Sequence, residues 1–192
     1  LDEVLIESMV QRLNTNLHFI PSAKNFQKIM TMKLENYERV IERLKDFYDY
    51  VVLDFSSNFD PVSLNIIQSC NHIFMVLSDS LASIRVCNQK INVLQQNKVM
   101  PEKIALIENE SRVNEDITTG HIEVALDKKI DLFIPFDNNT INESLIQSKP
   151  AIRIDPSCKL AKKIVGFSQK WSGNHSNKLE NKTIWRNLFK RT

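Results

Sequence analysis

Tyr48-Asp49-Tyr50-Val51-Val52-Leu53-Asp54 is the stretch from which the rest of this chain is read. A charge-rich helical pattern ends at the Tyr/Asp pair, and a short apolar run follows and closes on one carboxylate. Such a run, bounded by turn signals, predicts a buried strand of the kind found in parallel sheets. A carboxylate at the C-terminal end of that strand lies where open α/β sheets take their ligands. The plainer alternative is a strand-terminal aspartate that caps the next turn.

Outward from this run, strand-like and helix-like segments alternate. Leu1 to about Leu13 has helical spacing, and Leu17-His18-Phe19-Ile20 reads as a strand stopped by Pro21. Asn36 to Phe47 is an amphipathic helix with Tyr37, Val40, Ile41 and Leu44 inward. After Asp54, Phe55 to Asp60 is a polar loop, and Asp60-Pro61 opens a helix with Asp as N-cap and Pro in the first turn. Strands are expected at Ile73–Leu77, Ile104–Ile107 and Leu132–Ile134. Helices are expected at about 80–96, 118–126, 142–148 and 157–170. The connections between strands are long enough to hold helices. The expected fold is therefore α/β, a mostly parallel sheet covered by helices on both faces.

Composition fits a globular domain, with 42% apolar residues and a mean hydropathy of -0.27. No apolar stretch approaches the roughly 20 residues that span a bilayer. Cys70, Cys87 and Cys158 are odd in number and widely spaced, as expected of reduced thiols in a cytoplasmic protein. The four histidines are scattered, which argues against a metal site built from them. Charge is uneven. From Cys158 onward nine basic residues face one acid, Glu180, so this end carries about +8 and the body about -6 of a net +2. A basic end of this kind suits an anionic partner.

Five segments, in order, give the chain a family likeness. Asn16–Ser22 precedes the opening run; Tyr48–Asp54 matches a "yDyVviD" Walker B strand. Asn71–Ser78 followed by Leu81-Ala82-Ser83-Ile84-Arg85 matches an "aD.vllV…lsir" segment, and Lys103–Asn109 an "i.lvlN" strand. Ile134-Pro135-Phe136-Asp137, then Ile141–Ser144 and Lys149-Pro150, match an "IP.D..v..a...g.P" stretch. Over about Leu1 to Gly166 the chain resembles the MinD/ParA superfamily of deviant-Walker P-loop ATPases, and within it the CpaE/TadZ pilus-assembly branch.

The resemblance implies ATP and Mg²⁺ as cofactors of the full-length protein. Asp54 would hold the metal, directly or through water, because a hard cation that keeps its waters needs a carboxylate near the phosphates. Asn109 would bond the adenine edge, since an amide both donates and accepts. The Ile134-Pro135 backbone would flank the base. Asp137 would be a further cofactor contact, although it also reads as an ordinary helix-initiating or turn aspartate.

Departures from the family pattern are equally plain. The sequence holds neither GxxxxGK[ST] nor KGGxxK, and none of Gly120, Gly166 and Gly173 sits in a strand-to-helix turn. In the family the phosphate loop precedes the point matched by Leu1. The expectation is that the fold is incomplete at the N-terminus and that residues 1–171 are the C-terminal part of the ATPase domain. ATP hydrolysis then depends on a loop upstream. Phe55-Ser56-Ser57 stands where the family has a small or Pro-rich turn, and no catalytic residue is assigned.

Residues 172–181, rich in Asn, Ser and Lys, read as a flexible linker. Residues 182–192 read as a basic amphipathic helix. Ile184, Trp185, Leu188 and Phe189 share one face, and Lys182, Arg186, Lys190 and Arg191 flank or oppose it. This pattern describes an interfacial membrane helix, and it is similar in type and position to the membrane-targeting helix of MinD proteins. Packing on the domain itself or in a partner's groove is the main alternative. Stacking on nucleic acid is a third, against which the acidic body argues.

Two classes of function follow. One is a nucleotide-driven switch that forms a homodimer, binds an anionic membrane through its tails and positions a pilus, division or partition assembly with a partner protein. It would be cytoplasmic and peripheral at the inner membrane face. The other is a non-catalytic scaffold or localisation factor with a degenerate nucleotide site.

Overall fold

The computed structural model describes residues 8–21, 34–57, 59–111 and 117–172. The chain divides into two compact units, Leu1–Cys70 and Asn71–Thr192.

In the first unit, β1 (Gln11–Arg12) pairs antiparallel with β2 (His18–Phe19). This corrects the expected helix from Leu1 to Leu13 in its last residues; residues 1–7 lie outside the described ones. The reason is local. The Asn14 side chain accepts from the backbone N–H groups of Asn16 and Leu17 at 2.8 and 2.9 Å, and this Asx turn competes with helix for the same backbone. Helix α1 (Leu34–Phe47) buries Leu44, and α2 (Pro61–Ser69) buries Ile66 and Ile67. Asp60 caps α2 by accepting from the backbone N–H groups of Val62 and Ser63, with Pro61 in the first turn. The Ser63 hydroxyl, donating to the other carboxylate oxygen at 2.6 Å, and then these backbone bonds hold the Asp60 carboxyl below its ordinary range.

Among the described residues the run Tyr48–Asp54 forms no β-ladder, which corrects the strand expected there. Its side chains still alternate: Tyr50, Val52 and Asp54 are exposed, and Val51 and Leu53 are half-buried. Val52 is 88% exposed, far from the burial expected of a central strand. The side-chain period is that of a strand, but a strand also needs a neighbour's backbone. Tyr48 is held instead by its hydroxyl, 2.8 Å from His18 Nδ1.

The second unit is built on a three-stranded parallel sheet of order β3-β4-β5: Ile73–Leu77, Ile104–Ser111 and Ile130–Pro135. Helix α3 (Leu81–Gln96) connects the first two strands and α4 (Thr119–Leu126) the second two. Helices α5 (Asn138–Gln147), α6 (Ala151–Ile154) and α7 (Lys159–Ser172) follow. The predicted α/β class, parallel sheet and helical crossovers are all present.

Register fixes which face each side chain takes. Met75 pairs with Leu106 and Leu77 with Glu108, while Phe74 pairs with Ala105 and Val76 with Ile107. Paired residues of a parallel ladder share a face. On one face, Phe74 meets Phe167 and Trp171 of α7, with ring centroids 5.4 Å apart in each case. On the other, Glu108 meets Thr119 at the start of α4. Helices therefore lie against both faces, although Phe74 and Val76 of β3, on the α7 face, stay exposed. Leu94, Leu106 and Ile122 are the largest fully buried apolar side chains and mark the core.

The ladder between β4 and β5 is irregular twice. Leu106 pairs with Ile130 and Ile107 with Leu132, so Asp131 is an extra residue, and its carboxylate takes the Leu106 N–H at 3.0 Å. Further along, Asn109 and Glu110 together oppose Ile134, between the Glu108–Phe133 and Ser111–Pro135 pairs. The linker and tail expected at 172–181 and 182–192 fall outside the described residues, except Ser172, which closes α7.

Candidate functional site at the carboxyl edge of the sheet

All three strands of the second unit run parallel, so their carboxyl ends form one edge, and the helices that follow begin there. Ser80 caps α3 by accepting from the Ser83 N–H, and the Ser83 hydroxyl in turn accepts from the Ser78 N–H at 3.0 Å. Thr118 and His121 form a reciprocal capping box on α4. Asp137 caps α5. Oriented N–H groups and the positive ends of three helices thus collect on the edge where open sheets bind ligands.

Asn109 stands near the end of β4, half-exposed, within the second ladder irregularity. A bulge of this kind re-aims a side chain, and bulges are frequent beside binding sites. Pro135 ends β5 and pairs with Ser111 on β4. The structure therefore places Asn109 and the Ile134–Pro135 backbone on neighbouring strand ends.

Asp137 lies two residues beyond β5. One of its carboxylate oxygens accepts from the Thr140 N–H at 3.1 Å and the other from the Thr140 hydroxyl at 2.8 Å. Both oxygens are engaged in the first turn of its own helix, the plainer of the two roles read from the sequence. Replacing Asp137 by Ala is expected to cost about 1 kcal/mol of stability through the lost cap. A urea midpoint on the variant checks this.

Asp54 belongs to the first unit and is exposed, outside any strand. It does not point into an apolar interior. Among the described residues no group of three or more His, Cys, Asp or Glu side chains comes together as a metal site. A lone carboxylate nonetheless fits Mg²⁺, which keeps several waters and takes one or two protein carboxylates beside substrate phosphates. The three cysteines are free, and burial pushes the Cys87 thiol up to about 11, which makes it unreactive at neutral pH. No helix among the described residues is long and apolar enough to cross a membrane.

Glu108 and Thr119 escaped the sequence reading. Glu108 is buried, and Thr119 Oγ1 donates to its carboxylate at 3.0 Å. The available signal was a charged residue directly continuing the apolar run Ile104–Ile107.

No protein-family profile matches the chain. Over 97 residues it is 26% identical to the septum site-determining protein MinD of Synechocystis sp., an alignment covering 50% of this chain and 35% of that protein. The chain thus matches only about a third of the length of that relative. The crystal structure of a ParA family ATPase from Chlorobium tepidum superposes with a TM-score of 0.81 at 29% identity, covering 88% of this chain and 70% of that one. MinD from Pyrococcus horikoshii, solved as a complex with Mg-ADP, gives 0.74 at 18% identity, covering 89% and 70%. The chain has the fold of the MinD/ParA ATPases.

Proposed function

We propose that this chain is part of an ATP-binding switch protein of the MinD/ParA type. In this reading it binds ATP with Mg²⁺, pairs with a second copy and holds a cellular assembly at the inner face of the membrane. The assembly would be a pilus, division or partition apparatus, with the CpaE/TadZ pilus branch as the finer assignment. The observation that carries the reading is the placement of Asn109 and the Ile134–Pro135 strand end on neighbouring strands at one sheet edge. That edge belongs to a fold shared with a ParA family ATPase over 88% of the chain.

Each residue has a physical part. The Asn109 amide donates to and accepts from the base edge, and the Pro135 backbone flanks the ring. Asp54 orients the hydration shell of the metal. The bound Mg²⁺ would neutralise phosphate charge and align the phosphoryl group. Hydrolysis further requires a Lys-containing Gly-rich loop; these 192 residues hold none, and its presence elsewhere in the protein is part of the proposal. At the other end, Ile184, Trp185, Leu188 and Phe189 would enter the membrane interface, with Lys182, Arg186, Lys190 and Arg191 on anionic headgroups. Two tails on one dimer bind far more tightly than one, because the second encounter is intramolecular.

The test is co-sedimentation of full-length protein with phosphatidylglycerol-containing vesicles, with Mg-ATP or Mg-ADP present. The reading expects more bound protein, and a doubled solution mass by light scattering, with ATP. Equal binding and equal mass in both nucleotides would reject it.

A further inference from the structure

Among the described residues, Glu108 is the one buried charged side chain, at 1% exposure. It stands on β4, paired with Leu77 on one side and Phe133 on the other, on the sheet face that also carries Met75 and Leu106. Removing a carboxylate from water is costly unless donors meet it, and Thr119 Oγ1 supplies one at 3.0 Å. An apolar residue at such a place is commonly neutral or stabilising by comparison. What the acid adds is a directed bond. It ties the carboxyl end of β4 to the first residue of α4, whose N-terminus is itself fixed by the Thr118–His121 capping box.

Asn109 is the next residue along. Alternation turns its side chain to the opposite face from Glu108, and the two-against-one irregularity opposite Ile134 begins at Asn109. A bulge loosens the ladder that would otherwise set its direction. The Glu108 side-chain bond adds to the Leu77 and Phe133 ladder pairs a further restraint on the residue that leads into Asn109. We propose that the buried Glu108–Thr119 bond is a positioning device that aims the Asn109 amide and thereby sets the preference for an adenine over a 6-oxopurine nucleotide. This deepens the reading given above and rests on Asn109 contacting the base.

The experiment measures affinities of full-length protein for Mg-ATP and Mg-ITP, and reads their ratio. A well-placed amide on the adenine edge discriminates by roughly tenfold or more. Asn109→Ala is expected to bring the ratio near one. Thr119→Val, which keeps shape but removes the donor, should lower the ratio at least about threefold, and add nothing in the Asn109→Ala background, as coupled residues do. Thr119→Ser keeps the hydroxyl and Glu108→Gln keeps an acceptor oxygen, so both should retain the wild-type ratio. A purely structural role would lower the unfolding midpoint and leave the ratio alone. If Thr119→Val does not fold, Glu108→Leu reads the same quantity. A wild-type ratio in Thr119→Val or Glu108→Leu, with Asn109→Ala lowered, overturns the positioning role alone. An unchanged ratio in Asn109→Ala overturns the base contact, and the positioning role with it.

Discussion

Asp54→Ala in the full-length protein is expected to raise the dissociation constant for Mg-ATP roughly 10–100-fold, the usual cost of removing a group that organises a metal site. ATP binding measured in EDTA should be unchanged, because the lost contact is to the metal and its waters. Stability should move by no more than about 0.5 kcal/mol, since Asp54 is exposed and surface substitutions away from caps and cores are nearly neutral. Titration of both proteins with and without Mg²⁺ separates these outcomes. The variant also separates the switch from the scaffold. A switch loses its membrane position when Asp54 is lost. A scaffold with a degenerate site keeps it, and intact localisation of folded Asp54→Ala would favour that second reading.

Replacing Lys182, Arg186, Lys190 and Arg191 together by Glu is expected to abolish binding to phosphatidylglycerol-containing vesicles. Each basic residue near an anionic surface contributes about 1 kcal/mol, so losing the four attractions alone weakens partition by roughly a thousandfold. Repulsion from the new carboxylates adds to that. Trp185→Glu should act in the same direction by removing the largest apolar group from the face. Wild-type binding should weaken as salt rises from 50 to 500 mM, because these charges are screened over about a Debye length. Co-sedimentation across that range is the measurement. Vesicle binding absent from the wild type, or unchanged in the fourfold variant, would contradict the membrane-anchor reading of residues 182–192.

Legibility followed the range of the forces involved. Ile73–Leu77 was read with its observed bounds, and α3 and α4 to within a residue or so, because period, caps and length are local signals. Helix α5 begins at Asn138, four residues ahead of the apolar pattern, because the Asp137 cap rather than the apolar face sets its start. In the hairpin Gln11–Phe19 the second strand lies within the expected Leu17–Ile20, and the first was missed because helical spacing outweighed one asparagine, whose turn decides the local backbone. Tyr48–Asp54 shows the opposite case. Its alternation is that of a strand, yet pairing is a property of two segments, and one segment's sequence does not contain it. At the candidate site, Asn109 and Pro135 were legible as strand-terminal residues. Their adjacency depends on the β4–β5 register, which two bulges offset from any simple count. Glu108 was passed over because periodicity weighs apolar residues, and its meaning appears only with Thr119 beside it.

The direct measurement is a calorimetric titration of Mg-ATP into folded full-length protein. One saturable site per chain, filled by ATP and competed by ADP, is the predicted result. No saturable heat, from protein shown to be folded by circular dichroism, would contradict the claim that this sheet edge serves a nucleotide.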